Sequence, residues 1–112
     1  MLYDFKVFQK VYDFLLWVKP TAQRFERVHK YSLGIQLENT VIELVKKIVK
    51  ANFVRENKKE FIEECLMEFE MVKILIRLAK DFKVLNLKQY EFASKNLNEI
   101  GRLLGGWCKR FS

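Results

Sequence analysis

The chain has 112 residues, half of them hydrophobic and 31% charged, with four Gly, one Pro, two Cys and a net charge of +7. That length holds one hydrophobic core and one domain, and the composition excludes intrinsic disorder, a turn-rich β fold and a disulfide framework. A pI near 9.5 points to anionic partners: nucleic acid, an acidic protein or a membrane surface.

No apolar run approaches the roughly eighteen residues of a membrane span. The opening Met1-Leu2-Tyr3-Asp4-Phe5-Lys6 lacks a basic region followed by an apolar stretch and a small-residue cleavage site. With Cys65 and Cys108 as free thiols, the expectation is a cytoplasmic protein.

The first segment is dense in aromatics. Phe5, Phe8, Tyr12 and Leu15 follow helical spacing, and Asp4 is placed to cap the helix or favour its N-terminal dipole. Pro20 is expected to end or kink this helix near Val18 or Lys19, after which helix resumes. Phe25 and Val28 anchor the stretch from Arg24 to Lys30, and Ser32 is placed to cap the second helix.

Along the second helix, Leu37, Val41, Leu44, Val45 and Ile48 form the main core stripe, beside Ile35, Ile42, Val49 and Phe53. Its other side carries Glu43, Lys46, Lys47 and Lys50, with Glu43 and Lys47 in favourable i, i+4 register. Arg55-Glu56-Asn57-Lys58-Lys59 reads as the turn.

The third helix has two apolar stripes. Ile62, Cys65, Phe69, Val72, Ile76 and Ala79 alternate steps of three and four, a seam for sister helices. Met67, Met71, Ile74 and Leu78 lie roughly opposite at 100° per residue. A helix in a lone bundle buries only one side, so the second stripe is expected to be an oligomer interface. Glutamates 60, 63, 64, 68 and 70 fill the first half, and Lys73, Arg77, Lys80 and Lys83 the second, matching the helix dipole. The glutamates read as a solvated or intersubunit face.

Asn86 marks the turn into the last helix. Ala93, Leu97, Ile100, Leu104, Trp107 and Phe111 keep to one stripe, with Gly101 and Gly105 at its edge. Each helical glycine costs about 1 kcal/mol against alanine, so close approach of a neighbouring backbone is the expected compensation. Opposite lie Lys88, Lys95, Arg102 and Lys109 at sevenfold spacing. Together these segments describe an all-α, up-down-up-down four-helix bundle in a single domain, 1–112. Its helices fall at about 4–26 (kinked near Pro20), 33–54, 58–84 and 87–111.

Catalytic signals are absent: His29 is the lone histidine, and no phosphate loop, nucleophile elbow or clustered carboxylate motif occurs. Inward Glu-x-x-His pairs, which a di-carboxylate metal site in such a bundle needs, are also missing. The reading is a protein that is not an enzyme and holds no metal or cofactor. The functional candidates are three basic clusters: Lys46, Lys47, Lys50 and Arg55; Lys73, Arg77 and Lys80; and Lys88, Lys95, Arg102 and Lys109. With no groove-reading motif present, nucleic-acid binding by these clusters would be backbone-driven and salt-sensitive.

Lys88-Gln89-Tyr90, together with Glu99-Ile100-Gly101-Arg102-Leu103-Leu104-Gly105-Gly106-Trp107, resembles the C-terminal helix of the Avd family, the accessory variability determinants of diversity-generating retroelements. Ile74-Leu75-Ile76-Arg77-Leu78-Ala79 and Leu33-Gly34 extend the resemblance. Family members often carry Phe-Pro-Lys before that leucine-glycine pair, where this chain reads Phe25-Glu26-Arg27. The resemblance implies a basic, barrel-shaped homopentamer that binds a reverse transcriptase and its template RNA in support of mutagenic copying. It puts Arg77 and Arg102 first as contacts to RNA or partner. Arg102 could equally pair with glutamates of a neighbouring third helix, and DNA is a further candidate ligand. The alternative is a related bundle of the ribosomal-RNA intervening-sequence type, with a general nucleic-acid-binding or structural role.

Overall fold

The computed structural model describes residues 5–111, leaving the side chain of Phe5 aside. Four long helices make up the bundle: α1 (Phe5–Gln23), α2 (Ile35–Phe53), α3 (Lys58–Asp81) and α4 (Leu87–Arg110). Each packs against its neighbours in sequence, and α4 returns to close against α1. The described residues form a rod of 43 × 22 × 21 Å.

The core stripes of α3 and α4 are those the spacing predicts. Ile62, Cys65, Phe69, Val72, Ile76 and Ala79 are buried, as are Ala93, Leu97, Ile100, Leu104 and Trp107. On α2, Leu37, Val41, Leu44 and Ile48 are buried while Val45 is half-buried. The adjoining α2 stripe is only partly covered: Ile42 and Val49 are half-buried, and Ile35 and Phe53 are exposed.

On α1 the reading from aromatics is corrected. The buried stripe is Val7, Val11, Phe14, Val18 and Ala22, whereas Phe8 and Leu15 are half-buried and Tyr12 is exposed. Two helical stripes compete in this segment. Val7, Val11 and Val18 share the inward face with the ring of Phe14, while Tyr12 stacks on Phe8 at 5.9 Å beside it. Asp4, read as a cap, and Phe5 as a stripe residue lie outside what is described.

Of the two outcomes expected at Pro20, the helix does not end there: α1 runs through Pro20 to Gln23, in line with a first helix at about 4–26. Proline removes the N–H that would bond the Leu16 carbonyl. Leu16 and Pro20 are both exposed, so water can serve that carbonyl. Thr21 then donates its hydroxyl to the Trp17 carbonyl at 2.7 Å.

The connection to α2 is a short helical turn, Arg27–His29, followed by a π-helical turn, Lys30–Gly34. Ser32 lies inside that π turn and donates back to the Val28 carbonyl at 3.2 Å, so it does not cap α2. Phe25 is buried as expected; Val28 points outward and anchors nothing. Gly34 is required here, because a Cβ would stand 3.0 Å from the Ala22 carbonyl oxygen. The π turn presses directly on the end of α1.

A Schellman motif ends α3 at Asp81, three residues before the expected 84. The Val84 N–H donates to the Ala79 carbonyl at 2.9 Å, and that of Lys83 to the Lys80 carbonyl at 2.9 Å. Lys83 takes the left-handed position with φ 62°. Asn86 and Gln89 then form a reciprocal capping box at the start of α4, with bonds of 2.8 and 2.9 Å.

One glycine of α4 meets a close neighbour and two do not. A Cβ on Gly101 would lie 3.0 Å from Cζ of Phe69, so α4 does approach a close neighbour there, a ring rather than a backbone. A Cβ on Gly105 or Gly106 would meet no neighbouring element within 4 Å. No internal packing compensates their cost.

Candidate nucleic-acid and partner interface

The basic residues separate by what already holds them. On α2, Lys47 reaches across to Glu68 of α3 at 2.7 Å, with side-chain exposures of 34% and 18%. The hydrogen bond to Glu68 raises the Lys47 pKa above its ordinary value, and burial opposes it. That lysine clamps two helices, which puts its charge to internal use. Lys46 takes Glu43 at 3.3 Å, so the i, i+4 pairing expected for Glu43 and Lys47 is replaced by an i, i+3 pair. Lys50 stands over the Phe61 ring at 4.9 Å, and Arg55 is exposed in the turn.

On α3, Lys73 pairs with Glu70 at 2.9 Å and covers the Phe69 ring at 5.2 Å. Lys80 lies 4.8 Å from the centre of the Tyr90 ring. Both therefore sit over the seam with α4. Arg77 projects outward, with Asp81 at 3.9 Å.

On α4, Arg102 has only a loose contact with Glu99 at 4.0 Å, because Lys10 of α1 holds that carboxylate at 3.0 Å. Lys88, Lys95 and Lys109 are exposed and have no ion pair or hydrogen bond among the described residues. The fold thus brings Lys88, Lys95, Arg102 and Lys109 onto one outward face, with Lys73, Arg77 and Lys80 one helix away.

A further concentration escaped the pattern reading. Lys58 donates to the carbonyls of Ala51 and Asn52 and lies 5.6 Å from the Phe111 ring centre. The end of α2, the start of α3 and the end of α4 therefore meet at one end of the rod. Lys50, Arg55, Lys59 and Lys109 share that end with exposed Glu56 and Glu60. The signal was present as Arg55 to Lys59, but assigning that run to a turn hid its convergence with α4.

The second stripe of α3 is uncovered: Met67 is 72% exposed, Met71 46%, Ile74 56% and Leu78 39%. It continues through exposed Phe82 into an open groove of about 610 Å³ between the π turn and α3. His29, the lone histidine, lies there with its ring 5.6 Å from that of Phe82. Cys65 is buried, which pushes its thiol up to about 12, and it behaves as a small core hydrophobe. Among the described residues, no group of three or more His, Cys, Asp or Glu is arranged to hold a metal. No described helix is long and apolar enough to cross a membrane.

A family model described as bAvd-like matches residues 6–111. No curated protein and no solved structure matches the chain.

Proposed function

The chain belongs to the bAvd-like family, and on that premise we propose that it is a non-enzymatic accessory protein of a diversity-generating retroelement. In this reading it acts in the cytoplasm as a basic homo-oligomer, a pentamer as the family resemblance implies. It holds a reverse transcriptase and its template RNA together during mutagenic copying. The observation that carries the nucleic-acid part is the convergence of Lys50, Arg55 and Lys59 at one end of the bundle. Cations release counterions when they meet phosphates, which is the main source of sequence-independent affinity. The uncovered Met67, Met71, Ile74 and Leu78 stripe supports assembly, since apolar surface of that kind is costly to leave in water.

The test is a pull-down of the cognate reverse transcriptase, with and without template RNA, across a salt titration. Arg55→Glu with Lys59→Glu is expected to weaken RNA capture. Losing two phosphate contacts makes log K against log salt shallower by about 1.4 on a single strand. Failure of a folded, oligomeric protein to bind either partner would overturn the reading and favour the intervening-sequence type of bundle.

A further inference from the structure

Two outward faces of the rod lack a partner within the chain, and they are complementary. The outer face of α3 presents Met67, Met71, Ile74 and Leu78, bordered by Glu60, Glu63, Glu64, Glu70 and Asp81. The outer face of α4 presents Lys88, Lys95, Arg102 and Lys109, with side-chain-free Gly105 and Gly106 between the last two. We propose that the outer face of α3 in one copy seats on the outer face of α4 in the next, a contact that repeats around a ring. This assignment rests on the oligomeric reading above and goes beyond it in naming both faces.

Register supports the match. Within one chain, Gly101 lies against Phe69, and α3 and α4 run antiparallel. Both helices rise 1.5 Å per residue, so Lys109 comes level with about residue 61, Arg102 with about 68 and Lys88 with about 82. Rotation about an axis parallel to the rod leaves those levels unchanged. The neighbour then offers Glu60 and Glu63 to Lys109, Glu70 to Arg102, and Asp81 to Lys88. Gly105 and Gly106 fall beside the projecting Met67, where a flat surface receives a long side chain. The current holds on these charges, Glu70–Lys73, Arg77–Asp81 and Glu99–Arg102, are exposed same-helix pairs. Such pairs are worth a few tenths of a kcal/mol, about what a new partner can exchange.

Pairing α3 with its own counterpart is less favourable. That face carries five carboxylates, with Arg77 beside it 3.9 Å from Asp81. Like charges would meet across the contact. A contact between unlike faces also generates a ring or a filament, whereas a self-complementary face stops at a dimer. The α4 stripe is then used for assembly, and RNA falls to the cations at the end of the rod.

Sedimentation of the full chain at micromolar concentration tests this, with circular dichroism to confirm helicity. Glu63→Lys with Glu70→Lys, and separately Arg102→Glu with Lys109→Glu, should each reduce the assembly to the 13.5 kDa monomer. Carrying all four changes in one chain should restore it. Pair variants that stay assembled, or a fourfold variant that stays monomeric, would overturn the interface while leaving oligomerisation standing. A monomeric wild type would overturn the oligomeric reading itself. Cross-linking guards against misfolded variants. In a Cys108→Ser background, a bismaleimide should link Met67→Cys/Gly105→Cys chains into a ladder and leave Met67→Cys alone unlinked. Dimers from the single variant would mean that α3 meets α3, and would sink the proposal.

Discussion

Gly101→Ala is expected to destabilise the bundle, although alanine is the better helix former. The helix term favours alanine by about 1 kcal/mol. Against it stands the Phe69 ring, with Cζ 3.0 Å and Cε2 3.1 Å from where the new methyl would sit. Phe69 is buried on the α3 seam and capped by the Lys73 ammonium, so the ring has little room to turn. Overpacking a full core costs about 1–3 kcal/mol, which leaves a net loss of about 1 kcal/mol. For a domain near this size that is a drop in Tm of about 4–8 °C, read by calorimetry at fixed protein concentration. The cause is checked by a double-mutant cycle with Phe69→Leu. Once the ring is shortened the clash is gone, and Gly101→Ala should then stabilise by about 1 kcal/mol. Stabilisation of the wild-type background by Gly101→Ala, or additivity with Phe69→Leu, would refute the packing argument.

Lys83→Gly should stabilise, because Lys83 holds φ 62° at the position where a Schellman motif favours glycine. A gain of about 0.5–1 kcal/mol in urea unfolding is expected, and a loss would mean the lysine side chain matters more than its backbone. Asn86→Ala removes the acceptor for the Gln89 N–H and should cost about 1 kcal/mol; unchanged stability would show that the capping box contributes nothing net. Stability should fall in alkali. Lys47, raised by Glu68, contributes fully below its ordinary value of 10.5 and loses that contribution as pH climbs through its folded value. Partial exposure keeps the pair near or below about 1 kcal/mol, and Glu68→Gln should flatten that part of the pH profile. Cys65, held near 12, should resist iodoacetamide in the folded protein while half-buried Cys108 reacts. Equal labelling of both thiols would contradict the burial of Cys65.

Local periodicity carried α4 because it has a single strong stripe, Ala93 to Trp107, with charges on the far side. On α3 the longer of two apolar stripes, Ile62 to Ala79, turns inward and leaves the other outside. The uncovered Met67 to Leu78 stripe and the α4 cation face follow from the same arithmetic. On α1, pattern alone was insufficient. Two apolar stripes run along α1, and only its packing against α2 and α4 decides that the one with Val7, Val11, Phe14 and Val18 turns inward. Ser32 has the chemistry of a cap, but the π turn pressed on Ala22 places it two residues before the start position held by Gly34.

The sharpest division lies between residues of equal sequence standing. Gly101 and Gly105 sit four apart on one helix edge, yet Phe69 meets only the first. Lys46 and Lys47 are adjacent, yet one makes a solvent-exposed pair with Glu43 and the other crosses to Glu68. Amino-acid order sets which residues share a helix face. What stands opposite that face is a long-range contact, and it determines whether a glycine is required or a charge remains available.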